Sequence, residues 1–353
     1  MVTLADIARR AGTSVATVSL ALRGRGMVAR VTAERIQNLA REMGYRPNPL
    51  LSSLAGKRFR SPNAVDNTPL AILNFPVLPH GEDRPGAYEG YLLENARSLG
   101  YAPTVWNLNA GTDAGRLYRT LYHRMVQGVV ITGSVDAKEF GRAFDWESFS
   151  VVQCARFHTP QPFHIVRPNI FQAVKLVFTK MREMGYERIG FALGRHPEPM
   201  EDDEARYGAA ISIEASYLAR PFRVPVYDGP ILDMKKMIAW VKRYRPEAVV
   251  GFSVGQYWAL RSEGFDIPDE LGFSSMHIRQ DEDGFCSGLI QNHAEIARQS
   301  ILLLDQLIRS RERGFASQPL HILVPSLWNP GTTLRRVGGE NGNVRALEAG
   351  SRT

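Results

Sequence analysis

The sequence has few cysteines, no long apolar run and no pattern of a signal peptide, and each of these features argues against a class of protein. Its 353 residues include two cysteines, Cys154 and Cys286, which form neither a Cys-x-x-Cys pair nor metal-ligand spacing with a histidine. We therefore expect two buried free thiols in a reducing compartment, and no metal or cofactor. No run approaches the roughly 18 apolar residues that cross a bilayer. The first six residues lack the basic and apolar segments of a signal peptide, which predicts a cytoplasmic protein without membrane association.

Positive charge is abundant, but it is concentrated at the N-terminus. The whole chain carries a formal net charge of +7. Residues 1–60 contain eleven Lys or Arg and three Asp or Glu, a balance of +8, which leaves −1 for the remaining 293 residues. A basic head on a nearly neutral body suggests that the head alone binds a polyanion. Charge alone leaves open the alternative of an ordinary solvated basic surface.

Two short helices separated by a glycine-containing turn are predicted at the N-terminus. Apolar residues recur at helical spacing after Thr3, and Thr3 with Asp6 has the spacing of a capping box. Gly12 ends this helix, and Ser14 is placed to cap a second helix over residues 15–22. Two helices joined in this way form a helix-turn-helix, whose second helix enters the major groove of DNA.

Two further helices are predicted before residue 60. Thr32 is placed to cap a third helix, which Gly44 ends. Residues 48–57 then have Asn48 at the N-cap, a proline at the first helical position and Gly56 near the end. This fourth helix has about two turns, too few to be stable alone in water. We therefore expect it to fold only when it is docked on another surface.

The outward positions of the second helix are the candidate DNA-reading residues. Thr17 and Ser19 can bond phosphates, which fixes the register without reading the sequence. Val15 and Ala16 can touch base edges and thymine methyl groups, and Leu20 lies on the same side. The alternative is that all of these are ordinary exposed side chains. Their place on the second helix of a helix-turn-helix favours the DNA-binding interpretation.

After residue 69 the pattern changes to short apolar runs that alternate with helical stretches. Near-continuous apolar strands between helices are typical of parallel sheets covered by helices. The predicted strands are residues 70–75, 128–132, 151–154, 189–193, 248–252, 271–274 and 320–325. The predicted helices are residues 88–99, 114–125, 170–184, 234–243 and 294–309. The predicted domains are a DNA-binding head (1–47), a short helix (48–57), a linker (58–68), an α/β body (69–336) and a disordered tail (337–353).

One motif in the body offers a competing, enzymatic interpretation. Gly251-x-Ser253-x-Gly255 lies between a predicted strand and a predicted helix, which is the setting of a hydrolase nucleophile. The residues that could complete a Ser-Asp-His triad are His277, His293, Asp266, Asp269 and Asp281. Such short strings arise by chance, and a hydrolase core behind a DNA-binding head is unexpected. We therefore favour a protein that is not an enzyme and keep a serine hydrolase as the alternative.

The headpiece resembles that of a known family. Similarity to the LacI/GalR family of bacterial repressors is carried by Thr3-Leu4-Ala5-Asp6-Ile7-Ala8, Ala16-Thr17-Val18-Ser19 and Gly44-Tyr45-Arg46-Pro47-Asn48. The resemblance covers residues 2–57 and implies a homodimeric repressor that binds a near-palindromic operator in double-stranded DNA. It places Val15, Ala16 and Leu20 at the base-reading positions. The DNA-contacting residues that we expect are Thr3, Ser14, Val15, Ala16, Thr17, Ser19, Leu20, Arg23, Tyr45, Asn48, Leu54, Ala55 and Lys57.

The resemblance also implies a role for residues 48–57. In the family this segment is a hinge helix that folds against its dimer mate in the minor groove, and Leu54 matches an intercalating leucine. Such an apolar wedge unstacks the central base step and bends the duplex. Ala55 and Lys57 would lie beside it. The alternative is that Leu54 and its neighbouring leucines pack on the next domain.

For the body, the resemblance implies the α/β fold of periplasmic binding proteins, with two doubly wound parallel-sheet subdomains. The fold class is thus an all-α helix-turn-helix headpiece plus this α/β body. Ligands of such sheets bind at the carboxyl ends of the strands. A small-molecule effector between the subdomains would change their angle and so the distance between the hinge helices of a dimer. The effector contacts that we expect are Phe75, Ser134, Arg156, Arg206, Ser253 and His277.

The expected cleft keeps one family residue and departs from the family pattern at three other places. Arg206 matches an effector-binding arginine. Relatives have carboxylates that bond sugar hydroxyls where this sequence has Pro168-Asn169, Ser253-Val254 and Met276-His277-Ile278. Losing these acceptors while keeping Arg206 predicts an effector that is acidic or unusual, or a body that has lost a sugar effector. Carbohydrate-like and acidic effectors both stay open at this point.

Overall fold

The computed structural model forms two compact units, Met1–Val65 and Asp66–Thr353. The residues that it describes are 2–22, 28–45, 68–75, 87–109, 111–133, 140, 143–154, 162–197, 200–279, 282 and 284–337. Several predictions therefore lie outside the described residues, namely those for Arg23, the hinge helix 48–57, the linker up to residue 67, Ser134, Arg156 and the tail after residue 337.

The first unit contains the helices α1 (Leu4–Ala11), α2 (Val15–Leu22) and α3 (Arg30–Glu42). The predicted capping box is present at the start of α1. Thr3 Oγ1 accepts a hydrogen bond from the backbone N–H of Asp6 at 3.3 Å, and the backbone N–H of Thr3 donates to the Asp6 carboxylate at 2.9 Å. At the end of α1, Gly12 adopts a left-handed φ of 64°, which a residue without a Cβ adopts at little cost.

The predicted cap of α2 is confirmed, and that of α3 is wrong. Ser14 Oγ accepts the backbone N–H three residues further on at 3.1 Å, as an N-cap does. Helix α3 begins two residues before Thr32, with Ala29 at the N-cap and no side-chain hydrogen bond there. The N–H of Ala33 already bonds the carbonyl of Ala29 at 2.9 Å, so the helical ladder is established before the Thr32 hydroxyl could cap it.

A small apolar core joins the three helices of the headpiece. Its buried members are Ile7, Ala8, Ala11, Val18, Ala21, Ile36 and Ala40. Two polar side chains of α3 add to this packing, because the Arg35 guanidinium donates to the carbonyl of Ala11 at 2.9 Å and the Gln37 amide donates to the carbonyl of Ala21 at 3.0 Å. These carbonyls lie at the ends of α1 and α2, where helical partners run out. Helix α3 thereby ties down both helices of the helix-turn-helix.

The body alternates strands and helices, as predicted. Its elements in chain order are β1 (Thr68–Asn74), α4 (Glu89–Ser98), β2 (Tyr101–Asn107), α5 (Ala114–His123), β3 (Gly128–Thr132), β4 (Ser150–Cys154), β5 (His164–Pro168), α6 (Ile170–Glu183), β6 (Ile189–Ala192), α7 (Glu201–Tyr217), α8 (Met234–Tyr244), β7 (Ala248–Ser253), α9 (Val254–Ser262), β8 (Gly272–His277), β9 (Gly288–Ile290), α10 (His293–Ser310), β10 (His321–Val324) and β11 (Leu327–Asn329).

The strands form two sheets, each the centre of one subdomain. The first sheet has the order β10-β5-β4-β3-β1-β2, and all of its pairs are parallel. The second has the order β11-β9-β8-β7-β6, parallel except for β11, which runs antiparallel to β9. In the first sheet the strand order reverses at β1, because β2 lies on one side of β1 and β3 lies on the other. Such a reversal is typical of doubly wound folds.

Helices cover both faces of each sheet, which is why the central strands are apolar on both sides. In the first subdomain, α4 and α10 pack on one face, and α5 packs on the other with an aromatic cluster around Trp146. In the second, α6 and α7 cover one face, and α8 and α9 cover the other. The predicted class of two doubly wound subdomains is therefore confirmed.

The chain passes between the two subdomains three times. It leaves the first sheet after β5 and enters α6, it returns after β9 into α10, and it leaves again between β10 and β11. Asparagines cap the two helices that follow these crossings, with Asn169 Oδ1 at 3.1 Å from the N–H of Gln172 and Asn292 Oδ1 at 3.2 Å from that of Glu295. These two crossings are therefore short segments held at a helix start, and the third is the link 325–326 between β10 and β11.

Candidate functional site

Helix α2 presents an apolar surface at its N-terminal end. Val15 is 46% exposed and Ala16 is exposed, whereas Leu20 is half-buried. The hydroxyls of Ser14 and Thr17 lie 2.8 Å apart and share a hydrogen bond. The structure therefore places the two predicted base-reading residues nearest the helix start on the solvent side, with the capping hydroxyls beside them.

The other predicted DNA contacts are distributed around this helix. Thr3 is exposed and belongs to the capping box of α1, while Ser19 and Tyr45 are half-buried. Arg35 and Gln37 were not among the predicted residues, because their role depends on contacts between helices that periodicity does not reveal. Arg35 bonds the end of α1 and Gln37 bonds the end of α2, so both side chains help to hold the helix-turn-helix together.

A small cleft lies where the chain crosses between the subdomains, with about 290 Å³ of space between its lining atoms, part of it open to solvent. Its walls come from all three crossings and from the carboxyl ends of second-sheet strands, which is where open α/β sheets bind ligands. The lining residues are Pro168, Ile170, Ala173, Arg206, Phe252, Met276, Gln291 and Ser326. Five of these are apolar, and Arg206 is the one ionisable residue among them.

Arg206 is held by its own subdomain. It is 2% exposed, its guanidinium hydrogen-bonds the Asp203 carboxylate, and it lies over the ring of Phe252 with 4.4 Å between the guanidinium carbon and the ring centroid. Asp203 also accepts the backbone N–H of His196 at 2.7 Å and lies 2.8 Å from its Nδ1. Since an ionised carboxylate only accepts, we assign the ring proton to Nδ1.

The charges in this cluster compensate one another. Burial alone would raise the pKa of Asp203, but the hydrogen bond from His196 and the charge of Arg206 outweigh it and hold the pKa of this carboxyl below its usual value. Asp203 is therefore ionised at neutral pH and cancels the charge of Arg206. The cleft offers a ligand directional hydrogen-bonding groups without net positive charge.

A second group of polar side chains surrounds Gln291, which lines the cleft at the β9–α10 crossing. The Tyr88 hydroxyl donates to Gln291 Oε1 at 3.3 Å, and the Gln291 amide nitrogen lies 3.2 Å from His277 Nδ1. Tyr88 belongs to the first subdomain and His277 to β8 of the second, so Gln291 links the two. A ligand that displaced this amide would change a contact between the subdomains.

The structure brings together only some of the predicted effector residues. Arg206 lines the cleft, and His277 and Ser253 lie at the ends of neighbouring strands beside it, paired in register. Phe75 packs instead in the aromatic core of the first subdomain, 5.1 Å from Phe140 between ring centroids. Sequence reasoning missed Gln291, which lines the cleft, and Asp203 and His196, which form the polar cluster around Arg206.

An ion pair connects the subdomains next to the first crossing. Arg167 is the next-to-last residue of β5, and its guanidinium lies 2.6 Å from Glu201 and 3.9 Å from Asp202 at the start of α7. The hydrogen bond from Arg167 lowers the pKa of Glu201, although partial burial opposes it. These acids also suit the helix N-terminus, where the backbone dipole favours negative charge.

The hydrolase alternative receives no support. Ser253 does lie between a strand and a helix, β7 and α9, but it occupies the N-cap of α9. Its strand neighbour His277 lies against Gln291, and His293 packs edge-on to Tyr88 with 4.6 Å between ring centroids. Asp266 accepts the Arg261 guanidinium at 2.9 Å. His277, His293 and Asp266 thus have these other contacts, and Asp281 lies outside the described residues.

Three further expectations concern cysteines, metals and membranes. Both cysteines are buried free thiols, and burial raises the pKa of Cys286 to about 12. Within the described residues, no three His, Cys, Asp or Glu side chains come together in a way that could hold a metal ion. None of the helices described is both long enough and apolar enough to span a bilayer.

The headpiece matches a family model, and two curated relatives extend the similarity into the body. Residues 3–48 match the model described as "Bacterial regulatory proteins, lacI family". The ribose operon repressor of Haemophilus influenzae is 23% identical over 347 residues, 93% of this chain and 99% of that protein. The maltose regulon regulatory protein MalI of Escherichia coli is 28% identical over 198 residues, 55% of this chain and 54% of that protein. The chain thus matches about half the length of the second relative.

Solved structures share the whole architecture. The lac repressor dimer bound to operator and the anti-inducer ONPF has a TM-score of 0.56 at 17% identity and covers 94% of this chain and 99% of its own. The regulator CelR in complex with cellobiose has a TM-score of 0.54 at 17% identity, covering 94% and 100%. The chain therefore combines a helix-turn-helix headpiece, which matches the model of lacI-family bacterial regulatory proteins over residues 3–48, with a body that has the α/β fold of these solved structures.

Proposed function

We propose that this protein is a homodimeric, cytoplasmic transcription repressor that binds a near-palindromic operator and responds to a small molecule in the cleft described above. The observation that carries the proposal is the headpiece, where three helices with a lacI-family sequence place Val15 and Ala16 on the solvent side of α2. The relatives support a DNA partner and a dimer, since one solved structure is a repressor dimer bound to operator.

Selection of bound sequences from a random duplex pool by the purified full-length protein tests this function. A near-palindrome with a flexible central step is the expected result, because two headpieces related by twofold symmetry read two half-sites. Recovery of no enriched sequence, with or without added sugars, would contradict the proposal. An enriched site that lacks symmetry would contradict the dimer alone.

Leu54→Ala tests the proposed wedge in the hinge segment. Removing most of this apolar side chain should weaken operator binding by roughly thirtyfold, from about 2 kcal/mol of lost apolar contact. Leu51→Ala is the matched control, since it makes the same change three residues earlier. Fluorescence anisotropy with the selected operator measures both variants. If Leu54 instead packs on the body, the substitution will lower the free energy of unfolding and leave operator affinity unchanged.

The cleft supports a neutral, polar effector of the carbohydrate type over an acidic one. Arg206 is already neutralised by Asp203, so a second carboxylate would meet Asp203 without an uncompensated cation to bind it. The cleft pairs apolar walls around Phe252 with the amide of Gln291, a combination suited to hydroxyl-bearing molecules. One solved relative carries a disaccharide, cellobiose.

Isothermal titration with matched neutral and carboxylated sugars tests this choice of effector. Glucose and cellobiose should bind at least about tenfold more tightly than glucuronate, because Asp203 would repel the carboxylate of glucuronate. Arg206→Lys is the matched variant, since it keeps the positive charge but loses the planar fork that stacks on Phe252. Tighter binding of glucuronate than of glucose would show that the guanidinium is available to an acid and would contradict the proposal.

A further inference from the structure

Helix α2 lacks the side chains that usually read base edges through hydrogen bonds. Its sequence, VATVSLAL, contains no Arg, Lys, Asn, Gln, Asp or Glu. Guanine is usually read by Arg or Lys, adenine by Asn or Gln, and cytosine by Asp or Glu. None of these pairings is available to α2, whose polar side chains are the hydroxyls of Thr17 and Ser19, and hydroxyls do not select one base.

The hydroxyls at the tip of α2 are engaged locally. Ser14 Oγ accepts the backbone N–H of Thr17 at 3.1 Å, and the two hydroxyls lie 2.8 Å apart. These bonds build the N-cap of the helix and use one of the two hydroxyl protons. The other exposed atoms at the tip are methyl groups of Val15 and Ala16.

We propose that α2 reads its half-site through the C5-methyl groups of pyrimidines in the major groove. Val15 and Ala16 contact the methyl group of thymine, and 5-methylcytosine, which carries the same methyl group at C5, can take its place. The inference rests on the proposed function, because it assumes that α2 enters the major groove. It adds that the operator must carry thymine opposite this tip, and that cytosine methylation can create or restore a site.

The size of the effect follows from the burial of one methyl group. Removing one apolar carbon from water stabilises a complex by an amount that corresponds to about a fourfold change in affinity. A symmetric dimer makes the contact twice, so removing the methyl group from both half-sites should cost about fifteenfold. This loss is large enough to measure by titration.

Four versions of the selected operator separate methyl reading from hydrogen-bond reading. Each thymine of the half-site is replaced in turn, in both half-sites, by uracil, cytosine or 5-methylcytosine, with the matching purine on the other strand. If methyl groups are read, thymine and 5-methylcytosine should bind with similar affinity, and uracil and cytosine about fifteenfold more weakly. If hydrogen-bonding groups are read, thymine should equal uracil, and both cytosines should be weaker. The proposal is overturned if every position shows the order of affinities expected for hydrogen-bond reading. It is also overturned if the four versions bind with equal affinity at every position.

Variants of the protein locate the contact. Val15→Ala should shrink the thymine-to-uracil ratio of affinities at one position of the half-site, and Ala16→Gly at a neighbouring position, because each removes the atoms that meet the methyl group. Val31→Ala, an exposed valine of α3, should leave every ratio unchanged. Unchanged ratios in both α2 variants would overturn the proposal even if uracil weakens binding.

Failure of this inference is distinct from failure of the proposed function. An operator that is enriched and bound tightly, but equally well with uracil at every position, removes methyl reading and leaves the repressor intact. If the full-length protein enriches no sequence from the pool, the proposed function falls, and methyl reading falls with it.

Discussion

Replacing Ile36 with alanine should abolish operator binding while leaving the body folded. Ile36 is fully buried in the headpiece core, where it contacts all-apolar neighbours from α1 and α2. Such a truncation costs about 2–5 kcal/mol, whereas a domain of this size rarely has more than about 3–5 kcal/mol of stability. The headpiece would therefore be largely unfolded, and a helix that is not formed cannot enter the major groove.

Two measurements on the same sample check this result. If the cost exceeds the stability of the headpiece by about 1.4 kcal/mol, each headpiece of a dimer loses about tenfold in effective affinity, which makes about a hundredfold together. Anisotropy with the selected operator measures this loss, and calorimetry should show the transition of the body at its original temperature. Val31→Ala is the matched control, because Val31 is 80% exposed and loses little packing when it is shortened. Unchanged affinity in Ile36→Ala would mean that DNA binding does not require the three-helix core.

Asp203→Asn should destabilise the body by about 3–5 kcal/mol, the usual cost of removing one partner from a buried ion pair. The substitution leaves the Arg206 guanidinium, which is 2% exposed, without its counter-charge, and it weakens the bonds that His196 makes to the same carboxylate. Urea unfolding at neutral pH measures the loss. Glu204→Gln is the matched control, since it removes one charge from an exposed position of the same helix, α7.

The difference in unfolding free energy between the parent protein and Asp203→Asn should decrease as the pH falls. The folded state holds the pKa of Asp203 below its unfolded value of 3.8, so this carboxylate stabilises the protein fully above pH 3.8. The contribution is lost as the pH falls through the lower, folded-state value. The gap in unfolding free energy between the parent and Asp203→Asn should therefore close in acid. A gap that stays constant down to pH 2 would show that Asp203 stabilises the fold by packing rather than by charge.

Sequence patterns located the headpiece helices because caps and glycines mark their ends. The capping box at Thr3, the cap at Ser14 and the left-handed Gly12 are local signals, and the structure uses all three. The prediction that failed, a cap at Thr32, came from the same reasoning applied where α3 starts earlier, at Ala29. Local signals mark positions where a helix can begin. The backbone hydrogen bond from Ala33 to Ala29 shows that α3 begins before Thr32.

The body elements that sequence reasoning missed have weak patterns for identifiable reasons. Strand β2 lies at a sheet edge, is half-exposed and contains Pro103, which edge strands tolerate. Strands β9 and β11 have three residues each, too few for periodicity to appear. Helix α7 buries Asp202, Asp203 and Arg206, so its inward face does not read as apolar.

The location of the cleft could be predicted from the sequence, but the contacts between the two subdomains there could not. Its position follows from the rule that parallel sheets bind ligands at the carboxyl ends of their strands, and Arg206 could be named by resemblance. Asp203 lies three residues before Arg206 on α7, so their bond follows from helical spacing once the helix is known. The bond of Gln291 to Tyr88 joins the two subdomains at a crossing, and no spacing in the sequence encodes it.

The three crossings also constrain how the protein is made. The first sheet is completed only when β10, residues 321–324, pairs with β5, and one of its faces is covered by α10, residues 293–310. A nascent chain released up to β9 would therefore expose an apolar sheet face to solvent, a state prone to aggregation. Neither half of the body is a contiguous segment that could be completed by itself. Maturation of the body must wait until nearly the whole chain has left the ribosome, whereas the headpiece can fold as soon as its own three helices emerge.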